Sequence, residues 1–492
     1  MPRHTKAVAL SFLLTFFCIQ TSVLLGQNNA TYAKEVQAKI NQFESHLGLW
    51  AQMGNQRFTL DDRMKNYHVN GVSIALIKDY KIEWAKGYGW ADSAEQRPVT
   101  INTLFQAGSI SKSLNGVGIL KLVQEGKLNL DSNINIYLTS WQFPYDSLSK
   151  GKKITIANLL SHTAGLTVHG FDGYAKGETI PTLIQILNGE KPANNRAIRS
   201  MYEPSRRSEY SGGGVTISQL ILQDVTGQPY DTYMRNNVLS PMGMSNSFYT
   251  QPPPAGKGNL LATGYYNDGQ AVKGKYHIYP EQAAADLWTN PTDLAKYIIE
   301  TQLSLQGKSH KVLSPETTRL RLTPYIDNSA ALGVFIVKKG NEGYFTHDGS
   351  DEGFVASYYG SMENGNGVVV MANTDNGSLL TEIVNSLASV YNWKGFYTPT
   401  IKNVITVDNE ILKSYVGDYK LHRDTLHVTL EKGGLALRLN SKTQYKIYFT
   451  SDTDFFMLEM QGSEQRFTKD NNNKINGFEI NDNGYKMKAV KL

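Results

Sequence analysis

The sequence predicts an α/β or α+β body followed by a small antiparallel β unit, and three observations carry that prediction. From about Val69 to Tyr391, amphipathic helical stretches ("SLNGVGILKLVQEGKLNLD", "VTISQLILQDVTGQPYDTYMRNNVL", "PTDLAKYIIETQLSL") alternate with apolar, strand-like runs ("GVSIALIKDYKIEWAKGYG", "GVVVMANTD"). Beyond "YTPTIKN" the helical signal mostly stops, and "LHVTLEKGGLALRLNSKTQYKIYFTSDTDFFMLEM" gives short period-two strands separated by Gly, Asn, Asp and Ser turns. The third observation is length: 492 residues exceed what one hydrophobic core serves, so at least two domains are expected. No internal repeat is present.

The N-terminus reads as an export signal. Arg3 and Lys6 precede the uncharged apolar run "AVALSFLLTFFCIQTSVLLG", polar "QNNATYAKE" follows, and cleavage is expected after Gly26. The chain then divides into a signal peptide over 1–26, a body over 27–400 and a β unit over 405–492, with the mature protein periplasmic or secreted from a bacterium. An uncleaved anchor is the alternative reading, because the run is near the ~20-residue spanning length. The only cysteine, Cys18, lies in this segment, so the mature chain has no disulfide and no cysteine-ligated metal. Removing Arg3 and Lys6 takes the formal charge from +5 to +3, too slight at this length to point to nucleic acid.

Chemistry enters with "FQAGSISKSLNGVGIL". A helix is expected to begin near Ser109 and end at Gly126, with Leu114, Val117, Leu120 and Leu122 as apolar positions. On it, Ser109 and Lys112 stand on one face one turn apart, so their side chains can meet. A helix N-terminus also favours negative charge developing on a serine oxygen. The plain alternative makes Ser109 an N-cap and Lys112 a solvated residue. Spacing alone does not decide, since Ser147/Lys150 and Ser149/Lys152 repeat it in the turn-rich "FPYDSLSKGKK". Two further segments shift the balance. "SEYSGGGVTISQLI" sets Tyr210 just before a glycine cluster at the head of a helix, and "YFTHDGSDEGF" sets His347, Asp348, Gly349 and Ser350 at a glycine-bearing turn.

Together with "VNGVSIALIKDYKIEWAKGYGWAD", "LLSHTAGL", "EPSRRSEYSGGG" and "SPMGMSNS", these blocks, in this order, resemble the superfamily of class C β-lactamases, DD-peptidases and D-aminopeptidases. The resemblance implies an α+β, β-lactamase/DD-peptidase-like fold in which an antiparallel sheet packs against an all-helical lobe, with the active site between them. It implies Ser109 as the acylated nucleophile, with Lys112 and Tyr210 as the candidate bases and Tyr210 passing the proton to the leaving group. The backbone N–H groups of Ser109 and Ser350, beside Gly349, would hold the oxyanion. His347 stands where relatives carry a lysine, and would position a substrate carboxylate or complete the proton network. Gly212 departs from the asparagine common in relatives, leaving space and only backbone for the substrate. No SDN or KTG triplet occurs, which counts against an efficient β-lactamase.

His162 in "LLSHTAGL" is expected to hold a loop near the cleft. His422 and His427 lack metal-site spacing, so no metal and no cofactor is expected. The C-terminal unit, from "YVGDYKL" to "NGFEINDNGYKMKAVKL", resembles the small lipocalin-like β-barrels appended to some members. The expected function is an exported serine hydrolase acting on a small-molecule or peptide substrate: an amide, a D-amino acid peptide or an ester. A β-lactamase or DD-carboxypeptidase, and a non-catalytic penicillin-binding-like envelope protein, are the alternatives.

Overall fold

The computed structural model describes residues 32–54, 56–439, 443–482 and 485–492, with the side chains of 439 and 443 also left aside. The expected signal peptide and Cys18 lie outside the described residues. The body is built on seven strands: β1 (Gly71–Lys78), β2 (Lys81–Asp92), β3 (Arg97–Pro98), β4 (Phe335–Lys339), β5 (Glu342–Asp351), β6 (Phe354–Ser361) and β7 (Gly367–Ala372). Their order is β3-β2-β1-β7-β6-β5-β4, with every neighbour antiparallel. The body is therefore α+β, not a parallel α/β sheet.

Strand alternation separates two cores. Val369 and Met371 of β7 face a large helical lobe, whereas Val368, Val370 and Ala372 face the other layer. That second layer is α1 (Lys34–Ser45), ahead of the sheet in the chain, and a C-terminal helix described below. The lobe is centred on α2 (Ser111–Gln124), α3 (Gly212–Thr226) and α4 (Pro291–Leu305), and the C-terminal helix is α5 (Ser378–Val390). Local chemistry fixes the helix ends. Asn290 accepts the Asp293 N–H at 2.9 Å ahead of α4, which opens on Pro291, and Ser211 accepts the Gly214 N–H at 3.0 Å ahead of α3.

Ser109 lies not in an α-helix but in the tighter 3-10 turn Gly108–Ile110 that feeds α2. The cause is Ser111, whose hydroxyl donates to Gly108 O at 2.6 Å and accepts the Leu287 N–H at 2.9 Å. The helix ends at Gln124, just before Gly126 turns with φ +71°. Leu114, Val117, Leu120 and Leu122 are buried as expected, yet so are Ser111, Lys112, Ser113 and Asn115.

Nine antiparallel strands between Gly417 and Lys491 form the second sheet. Its two outermost strands, Thr443–Lys446 and Tyr448–Phe449, are consecutive in the chain, and the Ile447 N–H donates to Leu435 O at 2.9 Å, so the sheet nearly closes into a barrel. Tyr419, Phe455, Phe467 and Phe478 fill it. A short parallel pair, Ala51–Gln52 with Thr400–Ile401, ties the start of the described chain to the segment entering the barrel.

Candidate active site

The cleft is assembled from the head of α2, the approach to α3 and the free half of β5. Lys112, only 3% exposed, donates from Nζ to Ser109 Oγ at 2.8 Å and to the carbonyl oxygen of Ala284 at 2.6 Å. Ala284 belongs to the short helix Gln282–Ala285, which packs against both α2 and α3. The ammonium group also lies 5.0 Å from the Tyr210 ring centroid, so Ser109, Lys112 and Tyr210 converge.

Tyr210 is wedged between aromatic neighbours. Its ring centroid is 4.4 Å from that of His162 and 6.3 Å from that of Phe335. His162 Nδ1 accepts the Ser211 N–H at 3.2 Å, so the imidazole holds the residue next to Tyr210 while packing, tilted, against the phenol itself. The Tyr210 hydroxyl is buried and has no hydrogen-bond partner among the described residues. A buried polar atom of this kind is expected to meet a ligand or water.

His347 closes the far side. Its Nδ1–H donates to Asp348 O at 2.6 Å, which leaves Nε2 buried, unpartnered among the described residues, and an acceptor. Burial, reinforced by Lys112, pushes the imidazole down to about 3, so it is neutral at pH 7. Burial likewise holds His162 well below its usual range.

Two glycines allow the α2 turn and β5 to touch. A Cβ on Gly349 would come 1.9 Å from Ala107 O and 3.2 Å from Ser109 N, and a Cβ on Gly108, at φ +52°, would come 2.6 Å from Ser350 N. Only hydrogen fits at these positions, and the backbone nitrogens of Ser109 and Ser350 are thereby brought to one mouth. Because β4 pairs with β5 only as far as Thr346, the edge from His347 to Asp351 is left open beside that mouth.

Gly212 does not behave as expected. It is buried at the first turn of α3, its N–H donates to His169 O at 3.1 Å, and a Cβ there would meet Phe171 at 3.0 Å and His169 O at 3.1 Å. The expected space beside the substrate is occupied by Phe171, and the expected backbone donor is already used. Gly212 thus packs within the cleft wall, against Phe171 and the His169 carbonyl.

Three carboxyls that sequence reasoning missed lie beneath the site: Glu281, Asp286 and Asp351, all buried. Burial pushes Glu281 up to about 8, and raises Asp286 and Asp351 well above the carboxylate range; the charge of Glu281 adds to both aspartates, and that of Asp351 adds to Asp286. Asp351 accepts the Gly108 N–H and feels Lys112. No motif marks Glu281 or Asp286, and Asp351, though within "YFTHDGSDEGF", meets them only through the fold. Among the described residues, no group of three or more His, Cys, Asp or Glu is arranged to hold a metal ion.

An antiparallel sheet against a helical lobe, with a Ser/Lys pair in the cleft between them, defines a class: serine hydrolases on the β-lactamase/DD-peptidase fold. The chain belongs to the Beta-lactamase family, whose sequence profile matches residues 58–385. Protein flp of Staphylococcus aureus (strain N315) is 26% identical over 348 residues, covering 69% of this chain. The match spans 66%, just under two thirds, of that relative's own length. Among solved structures, the octameric penicillin-binding protein homologue from Pyrococcus abyssi is 22% identical with a TM-score of 0.58, covering 87% of this chain and 98% of that one. The D-amino acid amidase from Ochrobactrum anthropi SV3 is 20% identical with a TM-score of 0.57, covering 72% of this chain and 99% of that one.

Proposed function

We propose that the protein is an exported serine hydrolase that forms an acyl-enzyme at Ser109 and hydrolyses a small amide, D-amino acid peptide or ester. The reading rests above all on Lys112 Nζ, buried and 2.8 Å from Ser109 Oγ. The unpartnered Tyr210 hydroxyl and His347 Nε2 line the same cleft. Export is supported by the signal-like residues 1–26, and the amide substrate by the likeness to a D-amino acid amidase.

In this mechanism Ser109 Oγ attacks the substrate carbonyl carbon while its proton passes to Lys112 or Tyr210. The carbonyl oxygen takes the negative charge and lies against the N–H groups of Ser109 and Ser350. The Tyr210 hydroxyl gives a proton to the leaving nitrogen or oxygen as that bond breaks. Water, deprotonated by the same groups, then attacks the acyl ester and frees Ser109. His347, neutral and with Nε2 as an acceptor, suits the proton network better than the reading of a substrate carboxylate, which needs a positive charge.

Intact-mass spectrometry after fluorophosphonate treatment should show one adduct, mapped to Ser109. Ser109→Ala should abolish it, together with turnover of p-nitrophenyl esters and D-amino acid p-nitroanilides, while Ser147→Ala and Ser149→Ala retain both. An adduct at any other serine would overturn the assignment. A β-lactamase or DD-carboxypeptidase is the second reading, drawn from the penicillin-binding homologue among the similar structures. Nitrocefin turned over faster than the other substrates would favour it.

A further inference from the structure

The cleft does not stop at the catalytic face. A single cavity of about 630 Å³ begins at Ser109, Tyr210 and His347 and continues to Tyr359, Val384 and Phe396. These two groups lie on opposite faces of the sheet: Tyr358 packs in the lobe core, and Tyr359, with Val384 and Phe396, in the α5 core. The cavity passes between them around the edge of β5, open because β4 stops pairing at Thr346. Alternation sends His347 to the inner face and Asp348 to the outer one, and both line the same space.

One lining residue, Gln461, comes from the barrel. It sits at the tip of a tight turn in which the Met460 N–H donates to Met457 O and the Ser463 N–H donates to Met460 O, with Gly462 at φ +78°. The base of this turn is fastened to the body. The Trp50 indole N–H donates to Leu458 O at 2.6 Å, and Phe456 and Leu458 share a buried cluster with Leu49, Ala51 and Met53. Glu459 lies 4.0 Å from Arg63, which also bonds Glu382 of α5 at 2.7 Å, and Tyr67 bonds the same carboxylate at 2.6 Å. Helix α5 in turn presents Thr381, Val384 and Asn385 to the cavity. The turn and the helix that forms the wall are thus tied to one buried ion pair, which fixes where Gln461 stands.

We infer that the outer part of this cavity is a subsite for the portion of an extended, peptide-like substrate that lies away from the scissile carbonyl, and that Gln461 is a specificity-determining residue supplied by the barrel. The inference rests on the serine-hydrolase reading above. An amide side chain both donates and accepts, as a peptide group does, and the apolar floor of Val384 and Phe396 suits the side chain beside it. A substrate as short as an acetyl ester cannot reach around the sheet edge to touch either.

The test compares kcat/KM of the full chain for two substrates: an N-acetylated D-tetrapeptide amide, which extends to both sides of its central bond, and p-nitrophenyl acetate. Gln461→Ala should lower the ratio of tetrapeptide to acetate by about five- to tenfold, the effect of one lost hydrogen bond, mainly through KM. Thr381→Trp, an exposed substitution that fills the chamber, should lower it by roughly tenfold or more. Unfolding temperatures of both variants establish that the fold is kept. A ratio unchanged in both variants would overturn the subsite, and so would an unaltered protein that hydrolyses the acetate but not the tetrapeptide. Absence of fluorophosphonate labelling at Ser109 in the unaltered protein would instead overturn the underlying reading, and the subsite with it.

Discussion

The Ser109/Lys112 pair and the polar loop from Ser147 to Lys152 carry the same serine-to-lysine spacing and put it to different ends. Lys112 is buried and bonded to two neutral oxygens, Ser109 Oγ and Ala284 O. Lys150 and Lys152, 64% and 57% exposed, reach away from their serines to Glu203 at 3.4 and 3.1 Å. Ser149, meanwhile, donates to Asp146 O at 2.7 Å. A lysine paired with a carboxylate is a satisfied surface ion; one held against a hydroxyl and a carbonyl, out of water, is placed to exchange a proton. Burial and the nature of the acceptors separate the regions, not the spacing.

Removing the lysines should give the widest contrast. Lys112→Ala is expected to lower kcat/KM for a p-nitrophenyl ester by roughly 10²- to 10⁴-fold, the range for a lost acid–base group. Lys150→Ala and Lys152→Ala, each losing an exposed pair, should stay within about twofold. Steady-state kinetics on the three variants would break the comparison if all fell together.

Glycines sharpen it next. Gly349→Ala forces a methyl toward Ala107 O and should push Ser350 N from the oxyanion position, with a loss in kcat of about 10²-fold. Gly151, at φ +74°, has nothing within 4 Å of a would-be Cβ. Gly151→Ala should cost about 1 to 2 kcal/mol of stability from backbone strain alone and leave kcat unchanged. Kinetics and denaturant unfolding, run in parallel, distinguish the two.

A further contrast lies in the pH dependence of stability. The folded Glu281 carboxyl keeps its proton up to about 8, whereas the unfolded chain releases it near 4.5, so this group's contribution is fully present below pH 4.5 and is lost as pH rises toward 8. Glu281→Gln does not titrate, so its Tm relative to the unaltered protein should rise between pH 4.5 and pH 8. Glu203, whose lysine partners hold its carboxyl below the usual range, contributes in the opposite sense. That contribution is present above about pH 4.5 and is lost as pH falls below it, so Glu203→Gln should gain relative Tm as pH falls from 4.5 to about 3. Calorimetry at about pH 3, 4.5 and 8 reads both effects.

What the sequence disclosed is what local spacing can encode. The Ser109-to-Lys112 turn, the apolar stripe of α2, the glycine-bearing β5 turn and the change from helical to period-two patterning were all legible in consecutive residues. Phe171 in the place expected to be open beside Gly212, the buried trio Glu281, Asp286 and Asp351, and the arrival of Gln461 from the barrel were not. Each is a meeting of segments tens to hundreds of residues apart, and nothing in either segment names the other. The 3-10 turn at Ser109 was hidden for a similar reason, since it depends on Ser111 being engaged by Leu287.

The oxygen that steadies Lys112 belongs to the main chain of Ala284, not to a side chain. Every amino acid carries that oxygen, so the anchor itself does not require alanine at 284; what limits that residue is size, since Ala284 is fully buried in the lobe core. Sequence divergence would register instead at Gly108 and Gly349, where any added carbon collides with backbone. Among distant relatives, a small residue at 284 would report only on packing, while the pair of glycines would report directly on the close approach of the two backbones.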